Sequence, residues 1–307
     1  MRPDGSLRTI ATGPQPPGEV AGVAISRSGR YTAYTSTAHP DPANPFINAS
    51  GTLHILDRNG PDREVDTAGY EDRVNPDAAV SYGAVNPTAG CPEAIERAFP
   101  GPVSYTGLKD SHPYSVTNYG KRSWIVADAG GNDLLKVNRR GRISTVAVLP
   151  AQPLVITEAI SAAAGMEGKC VGVTYNFESV PTDVEVGRDG WLYVTTLAGG
   201  PESPAFGARS SVYKVNPRNG RVKLVATGLS GATNLALHNG RIYVAEFFAG
   251  RISVIKNGQP KPYLTLPGVV SVESSSGRHQ SLYAGTFGSD AGPGTIVKVI
   301  KGAPTRS

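Results

Sequence analysis

Apolar and polar positions alternate with a period of two along most of the chain, in short runs separated by Gly, Asn, Asp and Pro. This is the pattern of half-buried antiparallel strands joined by tight turns. The clearest stretch spans residues 181–229, which reads PTDVEVGRDGWLYVTTLAGG, a polar tip, then SSVYKVNPRNGRVKLVATGL. Its spacing predicts strands over 182–186, 191–196, 211–215 and 221–227, with turns at 188–190 and 216–220 and a Gly-, Pro- and Ser-rich tip over 197–209. A lone meander of this kind leaves both faces and both edges bare and needs neighbours.

The neighbours are copies of the same pattern. They recur at 113–150, 232–267, 268–301 and, with a long tip, from 20 to 69, which makes five units. A period of roughly 40–60 residues is the spacing of four-stranded propeller blades. The expectation is an all-β, single-domain β-propeller spanning 1–307, with five repeats counted and a six-bladed form left open. The last unit stops after its third strand, and residues 6–12 (SLRTIAT) look like a free fourth strand that would close it.

Two segments, about 70–112 and 151–180, leave the β pattern and read as insertions on the tip face, with short helical turns at 94–99 (AIERAF) and 156–166 (ITEAISAAAGM). The chain's two cysteines, Cys91 and Cys170, fall one in each. Consecutive crossings on one propeller face are neighbours, so a Cys91–Cys170 disulfide is expected, and with it an oxidising, extracellular or cell-envelope location. The opening residues, Met1-Arg2-Pro3-Asp4-Gly5, are polar and carry no export signal. A cytoplasmic location therefore stays open.

Composition narrows the function classes. Gly 37, Pro 25 and 18% charged residues suit many strands and turns. The net charge of +5 is scattered through turns, as at Arg139, Arg140, Arg218 and Arg221, which argues against a nucleic-acid partner. No apolar run is long enough for a transmembrane segment, and a monomer is expected. Phosphate-binding, zinc-protease and serine-hydrolase motifs are absent, and the five histidines (His39, His54, His112, His238, His279) are dispersed.

Candidate chemistry lies where the first strands begin and the second strands end. Hard-oxygen side chains converging at a propeller's channel mouth can hold a divalent cation such as Ca2+, and Asp183 and Asn234 stand there, with Ser115 and Glu185 beside them. Equally, short polar side chains at these positions can bond the neighbouring strand's backbone. Asp128 and Glu246 end second strands on the same face, and Phe247 and Phe287 sit beside the tips, where they could line a ligand pocket. Catalytic residues are not assigned.

The stretches 110–150, with VADAGGNDLLKV as the most specific piece, 180–196, and YEDRVNPD at 70–77 resemble the propeller proteins of the scytonemin cluster, the ScyD/ScyE family. More distantly the repeat is similar to NHL and SMP-30/gluconolactonase propellers. The resemblance implies a propeller, often exported and of undefined activity, and brings no catalytic motif. It also implies six blades, against which the expectation here is a chain lacking the first, either five-bladed or a shortened form. The expected function is a propeller that binds a small molecule or protein partner on its tip face. The alternative is a divalent-cation-dependent lactonase or esterase with its metal at the channel mouth.

Overall fold

A computed structural model describes residues 9–10, 12–14, 18–39, 47–99, 101–275, 281–288, 292–300 and 303–306, the last by backbone alone. His279 and parts of the 39–50 and 288–294 tips lie outside the described residues. The fold is all-β, built from six four-stranded antiparallel sheets.

Sheet A holds β1 (Gly18–Ile25), β2 (Tyr31–Ala38), β3 (Ser50–Asp57) and β4 (Arg63–Asp66). There follow α1 (Ala68–Val74), β5 (Ser81–Val85), α2 (Cys91–Ala98) and β6 (Ser104–Thr106). Sheet B is β7 (Pro113–Tyr119), β8 (Ser123–Asp128), β9 (Asp133–Asn138) and β10 (Ile143–Val148). Then come β11 (Gln152–Val155), α3 (Glu158–Ala163) and β12 (Thr174–Phe177). Sheet C is β13 (Pro181–Val186), β14 (Leu192–Thr196), β15 (Ser210–Val215) and β16 (Val222–Leu229), and sheet D is β17 (Ala232–His238), β18 (Arg241–Glu246), β19 (Arg251–Lys256) and β20 (Gln259–Thr265). Sheet E is β21 (Val269–Ser274), β22 (Leu282–Thr286), β23 (Ile296–Ile300) and β24 (Ala303–Arg306).

The predicted strands of the 181–229 unit match β13 to β16 to within a residue or two. The hairpins form where turn chemistry demands them. Asn239-Gly240 and Asn257-Gly258 have positive φ at both positions (50° and 72°; 50° and 75°), as a two-residue turn between right-twisted strands requires. Apolar faces then stack sheet on sheet. Ala33, Leu53 and Ile55 of sheet A meet Val116, Trp124 and Leu135 of sheet B. The other face of sheet B, through Ile125 and Leu134, meets Val184 and Val194 of sheet C. Val212 and Leu229 continue against Leu235 and Val244 of sheet D, and Ile252 and Val254 against Val272 and Ala284 of sheet E. Each such fully buried side chain contributes about 1.5–3 kcal/mol.

Three expectations change. First, the insertions do not leave the β pattern: they share a sheet, with strand order β11-β12-β5-β6. Its two halves are separated in sequence by the whole of sheet B, and Thr174–Phe177 pairs with Ser81–Val85 through Thr174 opposite Val85. Strands of three to five residues paired across such a distance carry no readable period. The helical turns expected within the insertions are present as α2 and α3, and α1 is added to them.

Second, the stretch 6–12 is not what fills the outer position of the last sheet among the described residues. Its outer position is taken by β24, with Lys298 opposite Thr305; residues 6–8 and 11 lie outside the described residues, and 9, 10 and 12 belong to no strand.

Third, among the described residues the stack is open. Inner strands lie side by side from β1 to β7, β13, β17 and β21, but β21 and β1 make no comparable contact. The outer face of β1 accordingly leaves Val20, Val23 and Ile25 49%, 62% and 60% exposed. The disulfide is as expected: Cys91 and Cys170 are joined, at a sequence separation of 79. It fastens α2 to the loop before β12 inside a core of Ile95, Phe99, Ile156, Met166, Tyr175 and Phe177.

Candidate functional site

The inner strands are stitched by the polar residues at their beginnings. Ser115 on β7 donates to Asp183 on β13 (2.6 Å). The other Asp183 oxygen accepts from the Asn234 side chain (2.8 Å) and the Leu235 N–H (2.9 Å) of β17. The Asn234 side-chain oxygen in turn accepts from the Val272 N–H of β21 (2.7 Å). Each of the oxygens that Asp183 and Asn234 could offer a cation accepts a hydrogen bond from a neighbouring inner strand. Deeper in the channel, burial and then the Asp183 charge raise Glu185 well above the usual carboxylate range. Glu273, which is exposed near the end of β21, is also raised, by desolvation of its carboxyl first and the Asp183 charge second.

The remaining sequence-selected residues are not brought together. Glu246 ends β18 fully buried, gripped by Arg251 (2.8 and 3.3 Å), the Ser230 N–H (2.7 Å) and the Ser253 hydroxyl. Asp128 ends β8 and accepts from the Ser111 hydroxyl and His112 N–H, both at 2.6 Å. The His112 ring contacts Glu19, whose hydrogen bond and charge raise the imidazole against the opposing pull of burial. Phe247 is 38% and Phe287 70% exposed, and neither lines the cavity described next.

That cavity, of about 740 Å³, opens on the tip face between the insertion sheet and the tips of sheets A and C. Its lining includes Phe99, Tyr105, Leu108, Tyr175 and Phe177, with Ile47 and the Gly199–Pro201 turn, which packs against Phe177. The sequence places these rings simply. Tyr175 and Phe177 alternate on one face of β12 and Phe99 ends α2, meeting both edge-on at 5.2 and 5.7 Å. Arg209 lies 4.6 Å over the Phe177 ring and donates to the carbonyls of Gly199 (2.9 Å) and Pro201 (3.2 Å), which holds the 199–201 turn beside Phe177.

Among the described residues, one carboxyl group faces the cavity, from just beyond the end of β12. Glu178 accepts from the Tyr105 hydroxyl (3.2 Å), and burial pushes it up to about 7 although that bond pulls the other way. An aromatic slot with a single carboxyl poised near neutrality can hold a flat, mostly apolar molecule and read one donor or positive charge on it. Sequence reasoning missed Tyr105, Phe177 and Glu178; the alternation in Thr174–Phe177 was the available signal.

No family model and no curated protein matches the chain. Solved structures do. Selenomethionine-substituted virginiamycin B lyase from Staphylococcus aureus aligns with 14% identity over 94% of this chain and 73% of its own, at a TM-score of 0.50. A calcium-binding protein, regucalcin, from Agrobacterium tumefaciens aligns with 10% identity over 93% and 72%, at 0.52. A luciferin-regenerating enzyme aligns with 11% identity over 94% and 74%, at 0.51. At these identities the likeness establishes the class, a β-propeller, and nothing about activity.

Proposed function

We propose that this chain is an exported, ligand-binding propeller of the ScyD/ScyE type. It takes a small, flat, largely apolar molecule bearing a hydrogen-bond donor or a positive charge into the tip-face cleft. The observation that carries the reading is the aromatic cleft of about 740 Å³ with the hydrogen-bonded Glu178 and Tyr105 on its wall. The volume suits a drug-sized ligand, and a single carboxyl among rings gives orientation without a constellation for bond cleavage. Export fits the disulfide; among the described residues no helix is long and apolar enough to cross a membrane.

The test is fluorescence titration with proflavine, a flat aromatic cation, beside an uncharged aromatic of the same size. One-to-one binding is expected, stronger for the cation, weakened at least tenfold by Glu178→Gln and abolished by Leu108→Trp, which fills the cleft. Affinity unchanged in both variants, or no saturable binding of either probe, would sink the proposal.

A further inference from the structure

Sheets B and D carry acidic residues at the same place in their repeats and treat them differently. In sheet D the second strand ends on Glu246, directly opposite Arg251 at the start of the third. The pair is ion-bonded at 2.8 Å with Glu246 fully buried. In sheet B the second strand ends on Asp128, and the residue directly opposite is Asp133. Both are 0% exposed. Two carboxyl groups facing each other across one hairpin repel, and burial raises the cost.

Two more carboxyls crowd the same spot, delivered by the α1 segment. Glu71 on α1 and Asp77 just beyond it are also 0% exposed. A Cβ added to Gly131, in the turn between β8 and β9, would lie 2.6 Å from a Glu71 carboxylate oxygen and 3.6 Å from an Asp133 oxygen. The Glu71 carboxylate therefore sits directly over the glycine turn, within reach of Asp133. The two stretches YEDRVNPD and VADAGGND meet at this point.

Some of these oxygens are satisfied. Asp128 has the Ser111, His112 and Gly131 donors, and one Asp77 oxygen accepts from Tyr82 (3.0 Å) and Asn132 (3.1 Å). The others are not. Both oxygens of Glu71, both of Asp133, the second of Asp77 and the side-chain oxygen of Asn75 are buried and unpartnered. None of the ion pairs among the described residues reaches the cluster. With no ion pair to offset them, burial and then the Asp128 and Asp77 charges push Glu71 up to about 9, and burial, Asp128 and Glu71 hold Asp133 well above its ordinary range.

We propose that this pocket is a calcium-type cation site, in which a divalent ion bound by Glu71, Asp133 and Asp77, with Asn75 as a neutral fourth donor, does for sheet B what Arg251 does for sheet D. All the donors are hard oxygens of mixed carboxylate and amide type, the set that favours Ca2+ over softer metals. No three carboxyl groups already converge on one point among the described residues. The unpartnered Glu71 and Asp133 side chains must close on the ion by a change of rotamer. The ion would pin the α1 segment to the sheet B tip.

The test uses the full chain freed of metal with EDTA, in calcium titration calorimetry and melting curves. One Ca2+ per chain is expected to bind, with a melting temperature raised by several degrees in calcium. The double variant Glu71→Gln/Asp133→Asn keeps the shapes and removes the charges. It is expected to lose Ca2+ affinity by at least a hundredfold and to melt at the same temperature with and without EDTA. Binding that persists in the variant would overturn the assignment. So would a wild-type protein that takes up no Ca2+ at millimolar concentration while the variant melts higher; the carboxyls would then be a protonated cluster.

Discussion

The Tyr105 hydroxyl donates to Glu178 across 3.2 Å, and both side chains stand on the wall of the tip-face cleft. The bond joins β6 to the residue after β12, so the two insertions meet in it.

This contact sets a pH dependence. Glu178 moves from 4.5 up to about 7 on folding, so the native state holds its proton to higher pH than the unfolded chain. Its contribution to stability is greatest below 4.5 and is lost as the pH rises toward 7. Ligand binding through the carboxylate runs the other way, and proflavine affinity should rise with a midpoint near 7. Tyr105→Phe removes a bond that lowers Glu178, so the midpoint should move up further. A binding profile flat from pH 5 to 9 in the wild type would contradict this.

Reducing the Cys91–Cys170 bond should loosen the insertions before the stack. A cross-link closing a loop of this length contributes about 4 kcal/mol in the chain-entropy description, and its neighbours Ile95, Met166 and Tyr175 form the insertion core. The expected outcome is a lower melting temperature in reductant, with amide exchange accelerating first over α2, α3 and β12. Exchange that speeds up equally in sheets C and D would show that the bond supports the whole fold instead.

Asp183 holds three inner strands together. Asp183→Ala leaves the Ser115 hydroxyl, the Asn234 amide and the Leu235 N–H without their acceptor. At roughly 1–3 kcal/mol for each buried unpaired group, a loss of about 3–5 kcal/mol is expected in urea unfolding, and Asp183→Asn should lose less. A change under about 1 kcal/mol would mean that water replaces the stitching.

The repeated sheets were legible because each is local. Strands such as Ser210–Val215 alternate cleanly, and the Asn-Gly turns announce the reversals. The cysteines were legible because only two exist. What escaped notice is non-local. Ser104–Thr106 and Gln152–Val155 are too short to show a period, and they acquire a sheet only when the chain returns to them. For the same reason the cleft was invisible, since its rings come from α2, β6 and β12 and converge only in three dimensions. Asp183 and Asn234 were rightly placed at the strand starts, but sequence cannot say whether a polar side chain there faces an ion or the next strand's N–H. Asp133 reads as ordinary turn chemistry until Asp128 is seen opposite it.

The divided insertion sheet imposes an order on synthesis. After β6 leaves the ribosome, all of sheet B must be made before β11 follows, and at 5–20 residues per second this takes on the order of several seconds. During that wait β5 keeps an unpaired edge, the kind of surface on which nascent chains stick to one another. Sheet B has time to zip up in the interval. The returning strands then complete the insertion sheet, and the Cys91–Cys170 bond can form only once Cys170 has been made. An oxidant arriving earlier would find one thiol without its mate.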